Sequence, residues 1–237
     1  TTATVMTGNG PVEVDIFARP SRGVLVGSTI VVGLDRISAS FDAAATGMVA
    51  IVDLTNESVA GLELPGLKSC GHLVPVPGAP SKVVVGCIGF AQPYGDEAQV
   101  RATSGILLLD VGSSGVVIER VWRVADHPSA AIAVNSVVAI DAARVVGVAN
   151  GNFATSVDTL QMMNLSTGAQ DLVHESNGSF VIGLAAYDAD REMLYVPDAA
   201  RNAVVELAAS DGGFTEVGST ELAPGLGLPP TQVYVLD

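Results

Sequence analysis

Apolar residues in this chain come in short runs that end on a polar residue and pass into a turn. Ile51-Val52-Asp53-Leu54 precedes Thr-Asn-Glu-Ser, and Leu108-Leu109-Asp110-Val111 precedes Gly-Ser-Ser-Gly. Met162-Met163-Asn164-Leu165 precedes Ser-Thr-Gly, and Val204-Val205-Glu206-Leu207 precedes Ala-Ala-Ser-Asp-Gly-Gly. The copies are spaced 57, 54 and 42 residues apart. A second feature keeps the same order upstream. Pro20-Ser21-Arg22, Pro80-Ser81-Lys82, Asp141-Ala-Ala-Arg144 and Asp188-Ala-Asp-Arg191 are turn formers closed by a basic residue, each leading into an apolar run.

Each unit therefore reads strand, tight turn, strand, variable loop, strand, turn, strand. No stretch shows a sustained helical period with caps. Four-stranded antiparallel units of about 40–50 residues, repeated, are the pattern of β-propeller blades. The predicted fold is all-β, a β-propeller in a single domain over 1–237, with units near 11–65, 66–124, 125–175 and 176–220. Strands at 2–6 and 231–237 are left over. Two arrangements are open for them: they pair with each other to close the ring, or they belong to a further blade of a larger ring.

The units resemble those of the bacterial YVTN and quinoprotein-like propeller superfamily, in which an apolar run, Asp and a Thr-Gly-type turn mark the third strand. Residues 162–168 (Met-Met-Asn-Leu-Ser-Thr-Gly) and the strand at 193–196 carry the resemblance most closely. It implies a fold and no catalytic residue. Cys70 and Cys87 within one unit also resemble a class of secreted propeller lipoproteins, from which this chain departs by having no N-terminal lipobox cysteine.

Composition narrows the class. The 237 residues are 49% hydrophobic and only 15% charged, which excludes a disordered chain. With 11 basic and 25 acidic residues the net charge is −14, so nucleic acid and anionic membrane surfaces are poor partners. The longest uncharged run, 222–236, carries three prolines, so no membrane-spanning helix is expected. The chain starts at Thr1 without a basic-then-apolar leader, as a processed form or a piece of a longer chain would.

Cys70 and Cys87, the two cysteines, lack the spacing of a zinc or redox site. They bracket two strands around a Pro-Gly turn. If that turn centres on Gly78 and Ala79, positions 70 and 87 face each other across the hairpin, close enough for a disulfide. The other reading is two buried thiols.

Links between units and the loops between second and third strands share one face, where binding on a rigid scaffold usually resides. The variable segments 28–46 and 88–104 and the matching loop of unit three hold Phe41, Phe90, Tyr94 and Phe153, four of eleven aromatics, with Asp35, Asp42, Asp96 and Glu97. Phe41, Phe90 and Tyr94 are candidate binding residues, and the alternative is that they anchor their loops. His127 and His174 each precede a second strand by 18 residues, which would give them matched positions on this face. Both are candidate binding residues: with Asp126 and Glu175 they could form a metal site or an acid–base pair, and the alternative is that they are link residues hydrogen-bonded to backbone. The lone Trp122 is expected half-buried on an outer strand.

No Gly-x-Ser-x-Gly elbow, phosphate loop or cofactor motif is present. No catalytic residue, metal ligand set or cofactor is assigned. The expected function is an extracytoplasmic, non-enzymatic binding or scaffold propeller that engages a protein or carbohydrate partner through the looped face. The alternatives are a metal-dependent propeller enzyme of the lactonase or lyase kind, and a structural subunit of a larger assembly.

Overall fold

A computed structural model describes residues 1–7, 10–90, 96–127, 134–150, 157–210, 213–222 and 229–235. The chain is all-β, built from four antiparallel sheets, and divides into two compact units, Thr1–Pro75 with Ala79–Ala133, and Val76–Gly78 with Val134–Asp237.

The first unit holds two sheets. One runs in the order β1 (Thr2–Thr7), β2 (Gly10–Val26), β3 (Thr29–Ser38), β4 (Gly47–Asp53) and β5 (Ser58–Leu64). The other is β6 (His72–Val76), β7 (Ala79–Cys87), β8 (Gly105–Gly112) and β9 (Gly115–Arg123). Period-two alternation turns Val31 and Val49 of the first sheet inward to meet Leu73, Val83, Val85, Leu107 and Leu109 of the second. Each such side chain removed from water stabilises the fold by about 1.5–3 kcal/mol. β8 is buried from Gly105 to Leu109, hence its unbroken apolar sequence.

The second unit repeats the plan with β10 (Val134–Ala139), β11 (Arg144–Ala149), β12 (Thr159–Asn164) and β13 (Gln170–Glu175), then β14 (Ala186–Asp188), β15 (Met193–Asp198), β16 (Ala203–Ser210) and β17 (Gly213–Glu221). Its core joins Val146, Val148 and Leu160 to Leu194, Val196, Val205 and Leu207. The four repeated apolar runs are the third strands β4, β8, β12 and β16. In three sheets a bulge interrupts the pairing of third and fourth strands, at Leu108/Leu109, Leu160/Gln161 and Glu206/Leu207.

Several expectations are corrected. Pro20-Ser21-Arg22 makes no hairpin turn; it is a bulge inside the 17-residue β2, where the register with β3 shifts between Pro20 and Gly23. Pro80-Ser81-Lys82 lies within β7, and the turn is Pro77-Gly78, with Gly78 at φ 70°. Proline is tolerated at such strand starts and bulges, so it misreads as a turn. Most of 28–46 is strand β3, leaving 39–46 as loop. A seven-residue helix α1 (Glu97–Thr103) interrupts the all-strand pattern; Asp96 caps it, its carboxylate accepting from Gln99 N at 3.1 Å. That Asp-x-x-Gln start is a capping signal, in a helix too short to show a period. The front strand pairs with β2, from Thr2 opposite Asp15 to Thr7 opposite Gly10, making its sheet five-stranded. At the back, Gln232 bridges Leu184 in parallel.

Candidate functional site

The β5–β6 link organises the looped edge of the first unit. Leu67 O accepts from Gly47 N at 2.7 Å, while Lys68 O and Ser69 O accept from Gly89 N and Ile88 N at 3.1 and 3.0 Å. Cys70 bridges Leu34 of β3 and is disulfide-bonded to Cys87, so the link is tied to both sheets of its unit. The cysteines do pair, but Cys70 precedes β6 and is placed by β3 rather than by simple hairpin register.

A polar cluster forms where this link crosses β2 and β3. Asp35 and Arg19 are cross-strand partners. Ser69, at φ 52°, donates to Asp35 Oδ1 at 3.3 Å. A Cβ at Gly71 would sit 2.8 Å from Asp35 Oδ2 and 3.1 Å from Ser21 Oγ, so the missing side chain is what lets carboxylate and hydroxyl converge. Burial raises the Asp35 pKa, against the opposing pull of Ser69 and Arg19. Burial, and then the Arg22 charge, bring His72 down to about 4, so it is neutral near pH 7.

Beside this cluster, Phe41 is 62% exposed at φ 60°, with the Arg19 guanidinium 4.7 Å from its ring centroid. Arg19 also donates to Ser38 O at 3.3 Å. The Asp42 carboxylate accepts from Ser38 Oγ at 2.6 Å. Phe90 is partly buried against the base of α1, where its N donates to Thr103 Oγ1 at 2.9 Å, and Lys68 Nζ lies 5.8 Å from its ring centroid. Burial lowers the Lys68 pKa. Among the described residues, Arg19, Arg22 and Lys68 form no ion pair. Tyr94 and Phe153 fall outside the described residues.

The two histidines stand in different settings. His127 lies beyond β9, stacked on Trp122 with centroids 4.8 Å apart and planes 8° apart. Trp122 is buried at 3% exposure, deeper than expected of an outer strand. His174 sits inside β13, so equal spacing to the next strand does not give equal structural positions. Among the described residues it joins neither Glu175 nor a metal-type cluster. His174 Nε2 is 3.0 Å from Asp198 Oδ2, and Ser176 Oγ donates to Asp198 Oδ1 at 2.9 Å. Both groups bind one carboxylate, which is not the relay of a nucleophilic triad, where the hydroxyl meets the imidazole. Asp158 acts in parallel, accepting from the backbone N of Phe180, Val181 and Ile182. Together these carboxylates staple the third sheet to the fourth.

Sequence reasoning missed Asp198, although a signal existed. Asp198-Ala-Ala-Arg201 is a third copy of the tetrapeptide at 141–144 and 188–191. In all three the first Asp accepts from the N–H groups two and three residues on. Only Asp198 is wholly buried. Arg22 is marked in the sequence only as the basic close of a turn, and nothing local draws Arg19, Ser69 and His72 toward it, because β2, β3 and the link meet only in the folded chain.

No family model matches the chain, and no curated protein matches it in sequence. Solved structures do. A chain of the nidogen/laminin complex superposes with TM-score 0.54 at 14% identity, over 90% of this chain and 69% of that one. A functionally unknown protein from Desulfotomaculum acetoxidans gives 0.53 at 9%, over 92% and 62%. An acylaminoacyl peptidase from Pyrococcus horikoshii gives 0.51 at 10%, over 86% of this chain and 33% of the peptidase. This chain is thus shorter than each, and at such identities the likeness is one of fold alone.

Proposed function

We propose that the chain is a β-propeller, or a set of blades from one, of the YVTN/quinoprotein-like kind, and that it acts outside the cytoplasm as a binding or scaffold module for a protein or carbohydrate partner. Four similar antiparallel sheets joined in sequence order support the propeller reading. The Cys70–Cys87 disulfide supports an oxidising compartment. No helix among the described residues is long and apolar enough to cross a membrane. The observation that carries the binding role is the looped edge of the first unit. In a chain of net charge −14, it gathers three of the eleven basic residues, none of them in an ion pair with another described residue, beside an exposed Phe41. Fold alone selects no chemistry.

The test is to present the purified chain to arrays of defined glycans and of cell-surface proteins. The double variant Phe41→Ser, Lys68→Ala serves as comparison, with its melting temperature checked against wild type. Specific binding abolished in the variant is the expected result. Binding indifferent to this edge, or no binding on either array, overturns the reading.

A further inference from the structure

We propose that Asn177 is an acceptor site for an N-linked oligosaccharide, presented by the link between β13 and β14. Such glycans are added outside the cytoplasm, so use of the site in the cell rests on the compartment proposed above. The chain holds three sequons, Asn56-Glu-Ser58, Asn164-Leu-Ser166 and Asn177-Gly-Ser179. A sequon alone often arises by chance, and the structure separates the three.

The first observation is the course of the backbone from 174 to 177. His174 Nε2 and Ser176 Oγ lie 3.0 and 2.9 Å from the two oxygens of Asp198, and both residues are buried. Two side chains two positions apart that meet one carboxylate require an extended backbone, in which the alternate residues turn the other way. Glu175 and Asn177 are accordingly exposed. The alternation of β13 thus runs on into the link and sets a carboxylate two residues before the amide on the same open side. Ser176 N donates to Asp158 O at 3.1 Å and Gly178 O accepts from Asp158 N at 2.8 Å, which holds the chain on either side of Asn177.

The second observation is the employment of the other two amides. Asn56 Nδ2, the atom that would attack, donates to Asp53 Oδ2 at 2.7 Å in its own turn, and Leu54 stands two residues before it. Asn164 ends β12 half-buried, its Oδ1 accepting from Ser166 N and Thr167 N, and the residue two before it is the buried Met162. Each of these asparagines serves its own turn. Asn177 makes no such bond among the described residues. Its sequon is also the one of the three with an acidic residue two positions ahead, the extended form that bacterial oligosaccharyltransferases read.

The step is a group transfer from an oligosaccharide joined through its anomeric carbon to a polyprenyl diphosphate. Asn177 Nδ2 forms a bond to that carbon, the carbon–oxygen bond to the diphosphate breaks, and polyprenyl diphosphate leaves with the electron pair. One Nδ2 proton passes to a base of the transferase, which supplies all the catalytic groups.

To test this, the folded chain with its disulfide intact is incubated with a purified bacterial oligosaccharyltransferase, its divalent metal ion and a polyprenyl-diphosphate-linked N-acetylhexosamine oligosaccharide. Tandem mass spectrometry then locates the glycan, which is expected on Asn177. Asn177→Gln and Ser179→Ala should abolish transfer, and Glu175→Gln should reduce it to a minor fraction. Asn56→Gln and Asn164→Gln should leave it unchanged. Ser179→Thr keeps the hydroxyl and should keep the glycan, which separates loss of recognition from a fold defect in Ser179→Ala. A synthetic peptide of residues 172–182 is the control for sequence alone. The proposal is overturned if the peptide accepts the glycan and the folded chain does not, if neither accepts it, or if it falls on Asn56 or Asn164 instead. The reaction involves no residue of the looped edge of the first unit. Its failure therefore leaves the module reading to the arrays, and failure on the arrays leaves the acceptor site standing.

Discussion

Gly71 lies against the carboxylate of Asp35, so close that a Cβ at position 71 would be 2.8 Å from Oδ2 and 3.1 Å from Oδ1. Glycine is needed at 71 for space rather than for backbone freedom. Gly71→Ala should push the Asp35 side chain off Ser69 and cost about 1–3 kcal/mol, as overpacking does. Chemical denaturation measures the cost, and NMR titration of Asp35 reports the moved carboxylate. An unchanged Asp35 titration would show that the two residues do not touch as described.

The same turn sequence in two settings gives a paired prediction. Asp198→Ala removes the acceptor for His174, Ser176 and two backbone N–H groups in a wholly buried place. It should cost about 2–4 kcal/mol. Asp141→Ala removes similar turn bonds at a half-exposed turn, where water replaces them, and should cost about 1 kcal/mol. Equal losses in urea unfolding would contradict the staple role of Asp198.

His72 makes stability depend on pH. Its folded pKa of about 4 lies below the unfolded 6.5, so the unfolded chain takes up the proton first. The stability owed to neutral His72 is therefore complete above pH 6.5 and is lost as pH falls from 6.5 to about 4, to an extent on the order of 3 kcal/mol. Asp35 acts in the opposite sense: its folded pKa is raised, so taking up a proton favours the folded state. His72→Gln should flatten the decline between pH 7 and pH 4, read as urea midpoints.

Position 183 takes the back segment of the chain. A Cβ at Gly183 would lie 2.2 Å from Thr231 O, a backbone atom that cannot swing aside. Leu184 N donates to Thr231 O and Val233 N to Leu184 O, at 3.0 and 3.2 Å. Gly183→Ala should release residues 231–233, and hydrogen exchange at the Leu184 and Val233 amides should quicken together. Unchanged protection would rule out this contact.

Both cysteines are fully buried and bonded, closing a loop with a sequence separation of 17. Cys70→Ser with Cys87→Ser should cost about 3 kcal/mol. Burial also bars reductant from the native bond. A gain of about two mass units, one hydrogen per sulfur, should follow dithiothreitol treatment only when denaturant is present.

The pattern of the sequence by itself determined the class of this protein. Apolar alternation, repeated four times with turn residues at matching places, is a property of neighbours along the chain, and strands β4, β8, β12 and β16 appear where it puts them. Asp53 and Asn164 accept from the N–H groups two and three residues on, as their local sequence implies. Local rules failed where tertiary contacts outweighed them. Pro20-Ser21-Arg22 has the letters of a turn, yet pairing with β3 on both sides keeps it in one bulged strand. His127 and His174 share a spacing but not an environment, since one stacks on Trp122 and the other meets Asp198 from the next sheet. The Asp35 cluster was decided only in three dimensions. Its residues come from β2, β3 and a link more than thirty positions on, and no local pattern encodes a meeting that the disulfide, the Leu34–Cys70 bridge and the bare face of Gly71 together bring about.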